Sequence, residues 1–306
     1  MIPIRSLPVQ TVLLTGATGF LGSHLASAFL SGGHKVAILK RAGSRLSRIQ
    51  PLLPDLHVFN VEEGLEIPFQ TLGRVDAVVH TATCYGRKGE NASEIVEANT
   101  AFPLRLLEVA TFFNTDTFLN TDSFFNTGTV LYKYLNAYSL SKRHFMEWGK
   151  SVAESGKVRF FNLKLEHMYG AGDDPGKFAT HIIRACLSNA DALNLTPGEQ
   201  RRDFVHIDDI VSSYLKLLEN TMRFDHGFFE FGVGTGHGVT IRVFTNTVHR
   251  LTGSQTKLLF GALPYRDQEI MESKADVTAL KALGWTCRYD LESGLKQVVE
   301  AERNRL

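Results

Sequence analysis

The stretch Thr15-Gly16-Ala17-Thr18-Gly19-Phe20-Leu21-Gly22 constrains this chain more than any other. An apolar run, TVLLT from Thr11, leads into it, and SHLASAFLSGG follows, with apolar positions at helical spacing closed by two glycines. A strand that turns into a helix within so few residues needs backbone without side-chain bulk. Gly16 permits the tight turn and Gly22 lets helix and strand pack closely. A second β-rich run, HKVAILK from His34, comes next. Strand, helix and strand at such short intervals imply a parallel pair joined by a right-handed crossover.

The alternation continues. LHVFNV from Leu56 and VDAVVHTAT from Val75 read as strands, and VEANTAFPLRLLEVATFF from Val96 reads as a crossover helix with Pro103 near its first turns. TFLNTDSFF is the next expected strand, NAYSLSKRHFMEWGKSVAES the next helix, and VRFFNLKL the strand after it. Beyond residue 165 the rhythm changes. HMYGAGDDPGKF is a loop by composition, and short helices and irregular pieces follow up to GLKQVVEAERNRL. The expected architecture is α/β: a Rossmann-type doubly wound parallel sheet over residues 1–165 and a smaller C-terminal substrate-binding lobe over 166–306. Part of 204–232 is expected to return to the first domain.

At 306 residues, 43% hydrophobic and 21% charged, the chain can bury a sizeable core as an ordinary globular protein. Its net charge of +1 supplies no global field, so neither nucleic acid nor a membrane is an expected partner. Cys84, Cys186 and Cys287 lie far apart without metal-like spacing, which favours free thiols in a reducing compartment and no metal site. MIPIRSLPVQ does not resemble a secretory signal, and no apolar run approaches the roughly 20 residues that span a bilayer. A cytoplasmic location is therefore expected.

In a βαβ unit, such a glycine loop is a site for a dinucleotide. Gly19 allows backbone to approach a pyrophosphate, and the helix N-terminus, with Thr18, Phe20 and Leu21, offers N–H groups and a positive dipole end. At the end of the second strand, where an acidic residue often binds the ribose of NAD, this chain has Lys40-Arg41. Cations there suit a 2′-phosphate and point to NADPH/NADP, with two solvated basic residues as the plainer alternative. Asn60 and Val61 should flank the adenine. His80, Thr81 and Ala82 should run beside the pyrophosphate and the nicotinamide ribose.

Tyr138 and Lys142 stand four apart in YSLSK, on one face of the expected helix. A phenol is a poor acid–base group at neutral pH, and a neighbouring ammonium, helped by a positively charged nicotinamide, is expected to lower its pKa toward the working range. With GATGFLG, VVHTAT, Asn99 in EANT, MYGAGD, and RRDFVHIDD followed by Arg266, this motif resembles the extended short-chain dehydrogenase/reductase family over essentially the whole chain. That resemblance implies enzymes that oxidise, reduce, epimerise or dehydrate nucleotide-linked sugars. It places Asn99 and Leu165, together with Tyr138 and Lys142, on the cofactor. It also implies a serine or threonine four residues before an aromatic, at the end of the strand that precedes the YxxxK helix.

Counting back from Phe125 makes that residue Thr121. Ser123, two residues further along a strand, points to the same side and either touches substrate or stands in for Thr121. The NTD triplet occurs twice, six residues apart, and NT returns six later. The first copy, Asn114 to Asp116, is expected in a turn, and the middle copy in the active site.

Dehydratases of the family follow the threonine with Asp-Glu, whereas this chain has Asp122-Ser123, so no base for elimination is evident. Net reduction by NADPH is the expected reaction. More narrowly, FLNTDSFF, SKRHF, LKLEHMYGAGD, GKF, GEQRRDF and CYGR resemble the CDP-abequose and CDP-paratose synthase group. The resemblance implies reduction of the 4-keto group of CDP-4-dehydro-3,6-dideoxy-D-glucose, in O-antigen and lipopolysaccharide biosynthesis. It places Arg202 and Arg266 on the diphosphate, for which guanidinium groups are suited, with a structural ion pair of Arg202 with Asp203 or Asp208 as the alternative. Tyr85, Arg87, His167, Lys177, Phe178, Asn194 and Thr196 complete the expected substrate contacts. A 4-epimerase with tightly bound NAD and a non-catalytic NADP-binding sensor are the competing readings. A homodimer built on the helix from Val96 and the YxxxK helix is expected by analogy.

Overall fold

The computed structural model describes residues 9–112, 122–267 and 269–305. Asn114 to Asp116 and Thr121 therefore lie outside the described residues. The chain divides into two compact units, Met1–Lys164 with Tyr214–Phe231, and Leu165–Ser213 with Gly232–Leu306.

The first unit is organised by a seven-stranded parallel sheet. Its strands are β1 (Thr11–Thr15), β2 (Lys35–Lys40), β3 (Leu56–Asn60), β4 (Ala77–His80), β5 (Ser123–Thr129), β6 (Arg159–Leu165) and a closing strand, Gly227–Val233. The order across the sheet is closing strand, β6, β5, β4, β1, β2, β3. It reverses at β1, between β2 and β4, which is where doubly wound folds bind ligands at the carboxyl ends of their strands. The strands read as apolar runs because both faces are covered: Val12, Leu13, Leu14, Val36, Ala37 and Ile38 are wholly buried.

Helices α1 (Phe20–Ser31), α2 (Ile67–Leu72), α3 (Ala92–Val96), α4 (Phe102–Phe112) and α5 (Ala137–Glu154) accompany these strands. A π turn, Glu97–Ala101, joins α3 to α4, so the expected helix starts earlier than the pattern from Val96 indicates. Asn91 and Glu94 form a reciprocal capping box at its start. Pro103 lacks an N–H for the helix ladder and stands in the first turn of α4, directly after the π turn. Asn136 caps α5 by accepting from the Ser139 amide at 2.8 Å.

The register of β5 fixes the site. Phe124 stacks on Phe160 at 5.5 Å and meets Phe145 of α5 edge-on at 5.9 Å, while Phe125 stacks on Phe161 at 4.8 Å across the other face. Truncating such a buried ring typically costs about 3–5 kcal/mol. These contacts pair Ala77 with Ser123 and His80 with Asn126. The strand expected over TFLNTDSFF is thus occupied by Ser123–Thr129, from the third return of the NT pattern.

The second unit packs helices Phe178–Leu187, Ile241–Thr252 and Leu291–Arg303 around Ile182, Ile183, Leu193, Phe204, Phe244, Val248 and Leu295. The stretch expected as loop after residue 165 begins with a short strand, His167–Tyr169, parallel to Phe204–His206. Buried Asp203 accepts from the Thr235, Gly236 and Ala275 amides at 2.8, 2.9 and 3.2 Å. Buried Glu302 holds Arg184 at 2.8 Å. Among the described residues, no helix is long and apolar enough to cross a membrane.

Candidate active site

The turn between β1 and α1 requires glycine at both ends. Gly16 has φ +75°, and a Cβ there would stand 2.5 Å from the Ala82 nitrogen. A Cβ on Gly22 would stand 2.1 Å from the Gly16 carbonyl oxygen. Gly19 N–H donates to that same oxygen at 2.9 Å, and no side chain caps α1. The first-turn N–H groups of α1 are left for an anion, so this cradle fits the pyrophosphate of a dinucleotide. Phe20 and Leu21 are buried in the core and can offer only backbone, whereas Thr18 and Gly19 reach the surface.

At the end of β2, Lys40 Nζ donates to Asn60 Oδ1 at 2.9 Å, while Arg41 is exposed. Val61 opens a 3-10 turn beside Asn60. His80, at the end of β4, is wholly buried with Nδ1 2.8 Å from Thr15 Oγ. Burial, reinforced by the Lys142 charge, holds its pKa well below the usual imidazole value, so the ring is neutral. Thr81 Oγ donates to the Thr15 carbonyl at 2.8 Å, and the Ala82 amide to Thr15 Oγ at 3.4 Å.

Asn99, expected on the cofactor, is instead fully engaged within the protein. Its Oδ1 accepts from the Cys84 amide at 2.7 Å and Thr83 at 3.2 Å, and its Nδ2 donates to the Cys84 carbonyl at 2.8 Å and Ser141 Oγ at 3.0 Å. All four bonding positions of the amide are used. The residue ties the segment after β4 to α5 from within the π turn.

Tyr138 and Lys142 share a face of α5. The Tyr138 ring lies 5.0 Å from that of Tyr85, with Arg87 5.1 Å over Tyr85. Its hydroxyl faces the Thr129 side chain at the end of β5. The protein surroundings alone move the phenol pKa up, so the expected lowering is left to the nicotinamide charge. Burial raises the pKa and Tyr85 adds to the rise, while the Thr129 hydroxyl and Arg87 oppose them. Lys142 exerts no such pull because it is itself desolvated: burial pushes its ammonium down to about 8, and Nζ has no hydrogen-bond partner. Lys142 Nζ and His80 Nε2 are both orphaned buried atoms of the kind a bound ligand or water satisfies.

Ser123 requires a correction. It is the first residue of β5, opposite Ala77 and 1% exposed. At roughly 3.3 Å per residue it stands about 20 Å along the strand from Thr129. The signal that could have found Thr129 is the repeat itself: Phe124-Phe125-Asn126-Thr127-Gly128-Thr129 follows Phe118-Leu119-Asn120-Thr121-Asp122-Ser123 with the same aromatic, Asn-Thr and final hydroxyl, and Thr129 falls where Ser123 stands. Thr127 is bonded to the Tyr214 hydroxyl at 2.7 Å.

In the second unit, Arg202 is 9% exposed and paired with Glu269, while Nη1 donates to the Arg201 carbonyl at 2.7 Å. An ion pair was an expected alternative for Arg202, but neither Asp203 nor Asp208 is the partner. Buried Glu166 accepts from Ser273 at 2.8 Å and lies 3.3 Å from His167 Nδ1. Arg266 is exposed. Lys177 binds Asp173 at 3.0 Å, Phe178 stacks 6.2 Å from Phe204, Asn194 is exposed, and Thr196 accepts from Gln200 at 2.9 Å. Glu166 and Glu269 were not anticipated from the sequence.

The profile of the NAD dependent epimerase/dehydratase family matches residues 12–230. The chain belongs to this family. It is 37% identical to CDP-abequose synthase of Salmonella muenchen over 291 residues, covering 95% of this chain and 97% of that protein. Over 300 residues it is 37% identical to CDP-abequose synthase of Salmonella typhimurium, covering 95% and 98%. Among solved structures, UDP-glucose 4-epimerase of Thermotoga maritima with UDP-glucose superposes with a TM-score of 0.82 at 22% identity, covering 97% of this chain and 99% of that one. UDP-glucuronic acid 4-epimerase of Bacillus cereus, in complex with UDP-glucuronic acid and NAD, gives 0.82 at 19% identity, covering 97% and 100%. These two likenesses establish the fold.

Proposed function

We propose that this member of the family is an NADPH-dependent 4-ketoreductase of a nucleotide-linked deoxysugar, converting CDP-4-dehydro-3,6-dideoxy-D-glucose to CDP-abequose or CDP-paratose. The observation that carries the proposal is near-full-length similarity to two CDP-abequose synthases, joined to a phenol, a lysine and a strand hydroxyl in one unit. The hydride is the contribution of the reduced nicotinamide when it is bound. The chain's own groups do the rest. The α1 cradle holds the pyrophosphate, and Lys40 and Arg41 supply positive charge for a 2′-phosphate. Tyr138, kept protonated by its surroundings, donates to the carbonyl oxygen, and Thr129 supports that oxygen with its hydroxyl. Arg202 and Arg266 are assigned to the diphosphate and Tyr85 and Arg87 to the sugar. Thr127-Gly128-Thr129 carries hydroxyls without a carboxylate, which favours reduction over dehydration.

The test follows NADPH oxidation with CDP-, dTDP- and UDP-linked 4-ketosugars and reads the product's C4 configuration by NMR. NADPH consumption with the CDP substrate is expected. Protein that carries tight NAD and consumes no NADPH would move the reading to a 4-epimerase, which the NAD-containing structural neighbours favour. A cytoplasmic homodimer completes the proposal: Val96, Phe112 and Trp148, 42%, 69% and 53% exposed, present apolar surface on α3, α4 and α5. Sedimentation showing only monomer at micromolar concentration would refute that part.

A further inference from the structure

Two carboxylates stand at the end of β3, beside the basic end of β2. Lys40 and Asn60 are partners at the last step of the β2–β3 ladder, so the residues that follow them leave the sheet side by side. Arg41 opens a tight turn in which the Ser44 amide donates to its carbonyl oxygen at 3.0 Å. The second residue of such a turn has an N–H with no bond to make inside it. That residue is Ala42, and its amide donates to both carboxylate oxygens of Glu62, at 3.2 and 3.1 Å. A short 3-10 turn, Val61–Glu63, brings Glu62 there. Ala42 and Glu62 are both exposed, so the contact lies at the solvent edge.

The basic pair is less free than its sequence suggests. Lys40 Nζ donates to Asn60 Oδ1 at 2.9 Å and to the Arg41 carbonyl at 3.4 Å, and Asn60 Nδ2 donates to Glu63 Oε1 at 2.8 Å. Glu62 and Glu63 match Lys40 and Arg41 in number, so the charges of these four side chains cancel. In dinucleotide folds an acid at the second strand end accepts from the ribose 2′-hydroxyl of NAD, and a cation nearby accommodates the 2′-phosphate of NADP. The second strand here ends without an acid, but the third strand returns one to the same turn. A turn N–H next to an exposed arginine makes a seat for an anion, and Glu62 fills it.

We propose that Glu62 sets the cofactor preference of this chain, its carboxylate occupying the seat that a 2′-phosphate needs. The proposal rests on the reading that the α1 cradle holds a nicotinamide dinucleotide. Toward a 2′-hydroxyl, Glu62 stays on the Ala42 amide and accepts the hydroxyl's hydrogen bond with a remaining lone pair. Toward a 2′-phosphate, Glu62 presents a like charge on the same amide, and it must swing out before Ala42 and Arg41 can hold the phosphate. Glu62 therefore subtracts from affinity for the phosphorylated cofactor alone, and the chain accepts NADH as well as NADPH.

The deciding variant is Glu62→Gln, which keeps the shape and removes the charge. In fluorescence titrations at fixed ionic strength it should bind NADPH about tenfold more tightly than the unaltered protein and NADH about threefold more weakly. In competition with NADH, 2′,5′-ADP should gain as NADPH does and 5′-ADP should not, which ties the effect to the 2′ position. Glu63→Gln removes an equal charge one residue on but leaves the Ala42 amide occupied, and it should move NADPH affinity by less than about threefold. Equal gains in the two variants would reduce the effect to surface charge and overturn the proposal, as would an unchanged NADPH affinity in Glu62→Gln. Unaltered protein that binds neither dinucleotide removes the cofactor reading as well, whereas binding of both, with the same ratio in Glu62→Gln, removes the role of Glu62 alone.

Discussion

Replacing Lys142 by Met should stabilise the protein, and by an amount that depends on pH. The ammonium is 2% exposed and unpaired, and burial lowers its pKa from 10.5 to about 8. At roughly 1.36 kcal/mol per pH unit, the cost of keeping it charged in the fold is about 3 kcal/mol. The sign follows from proton counts. Between about pH 8 and 10.5 the unfolded chain holds the proton and the folded chain does not, so stability rises with pH across that window. Below pH 8 the whole penalty applies, and above 10.5 it is gone. Urea unfolding of both proteins at intervals from pH 7 to 10.5 should therefore find Lys142→Met more stable by about 3 kcal/mol at pH 7, with the gap closing toward pH 10.5. Changes shared by both proteins, including titration of exposed lysines, cancel in the difference. The Met variant should also be catalytically poor, a stabilised protein that has lost its function. Equal stability at every pH would refute the reasoning, because it would mean that the ammonium has a counter-charge or free access to water.

Three other outcomes are expected. Tyr138→Phe should lower kcat by about 10²- to 10⁴-fold while fluorescence titration still shows NADPH binding, since only the proton donor is removed. Thr129→Val should lower kcat strongly, whereas Ser123→Ala, at the buried start of β5, should leave kcat nearly unchanged; steady-state assays of both variants would reveal the reverse ranking if the middle copy supplied the hydroxyl. Gly22→Ala, which places a Cβ 2.1 Å from the Gly16 carbonyl oxygen, should abolish cofactor binding in calorimetry and lower the melting temperature.

The βαβ beginning was legible because its signal is local. Glycines at fixed offsets and apolar runs need no knowledge of distant residues, and β1–β4 lie where the sequence pattern put them. The spacing of Tyr138 and Lys142 was legible for the same reason, since helical geometry alone sets it. The position of β5 was not. Each copy of the repeat offers the same aromatic, amide and hydroxyl pattern, so propensity cannot rank them, and packing of Phe124 and Phe125 against residues 20 to 40 positions away decides. Charge pairing was equally hidden: Glu269 meets Arg202 across 67 residues of chain. The upward push of the protein on Tyr138 was hidden for a third reason. Sequence spacing shows that a lysine is adjacent but not that both groups are sealed from water, and desolvation outweighs proximity when neither has a counter-ion.

The closing strand, Gly227–Val233, has a consequence for how the chain is made. During synthesis the first six strands emerge together, but the partner for the open edge of β6, and Tyr214, which holds Thr127, are translated only after residues 165–213. Until then the nascent sheet carries an unpaired edge, a surface inclined to seek another chain. A ribosome stalled before codon 234 should therefore display a sticky intermediate, and a fragment ending near residue 165 should be poorly behaved although it contains the whole glycine cradle.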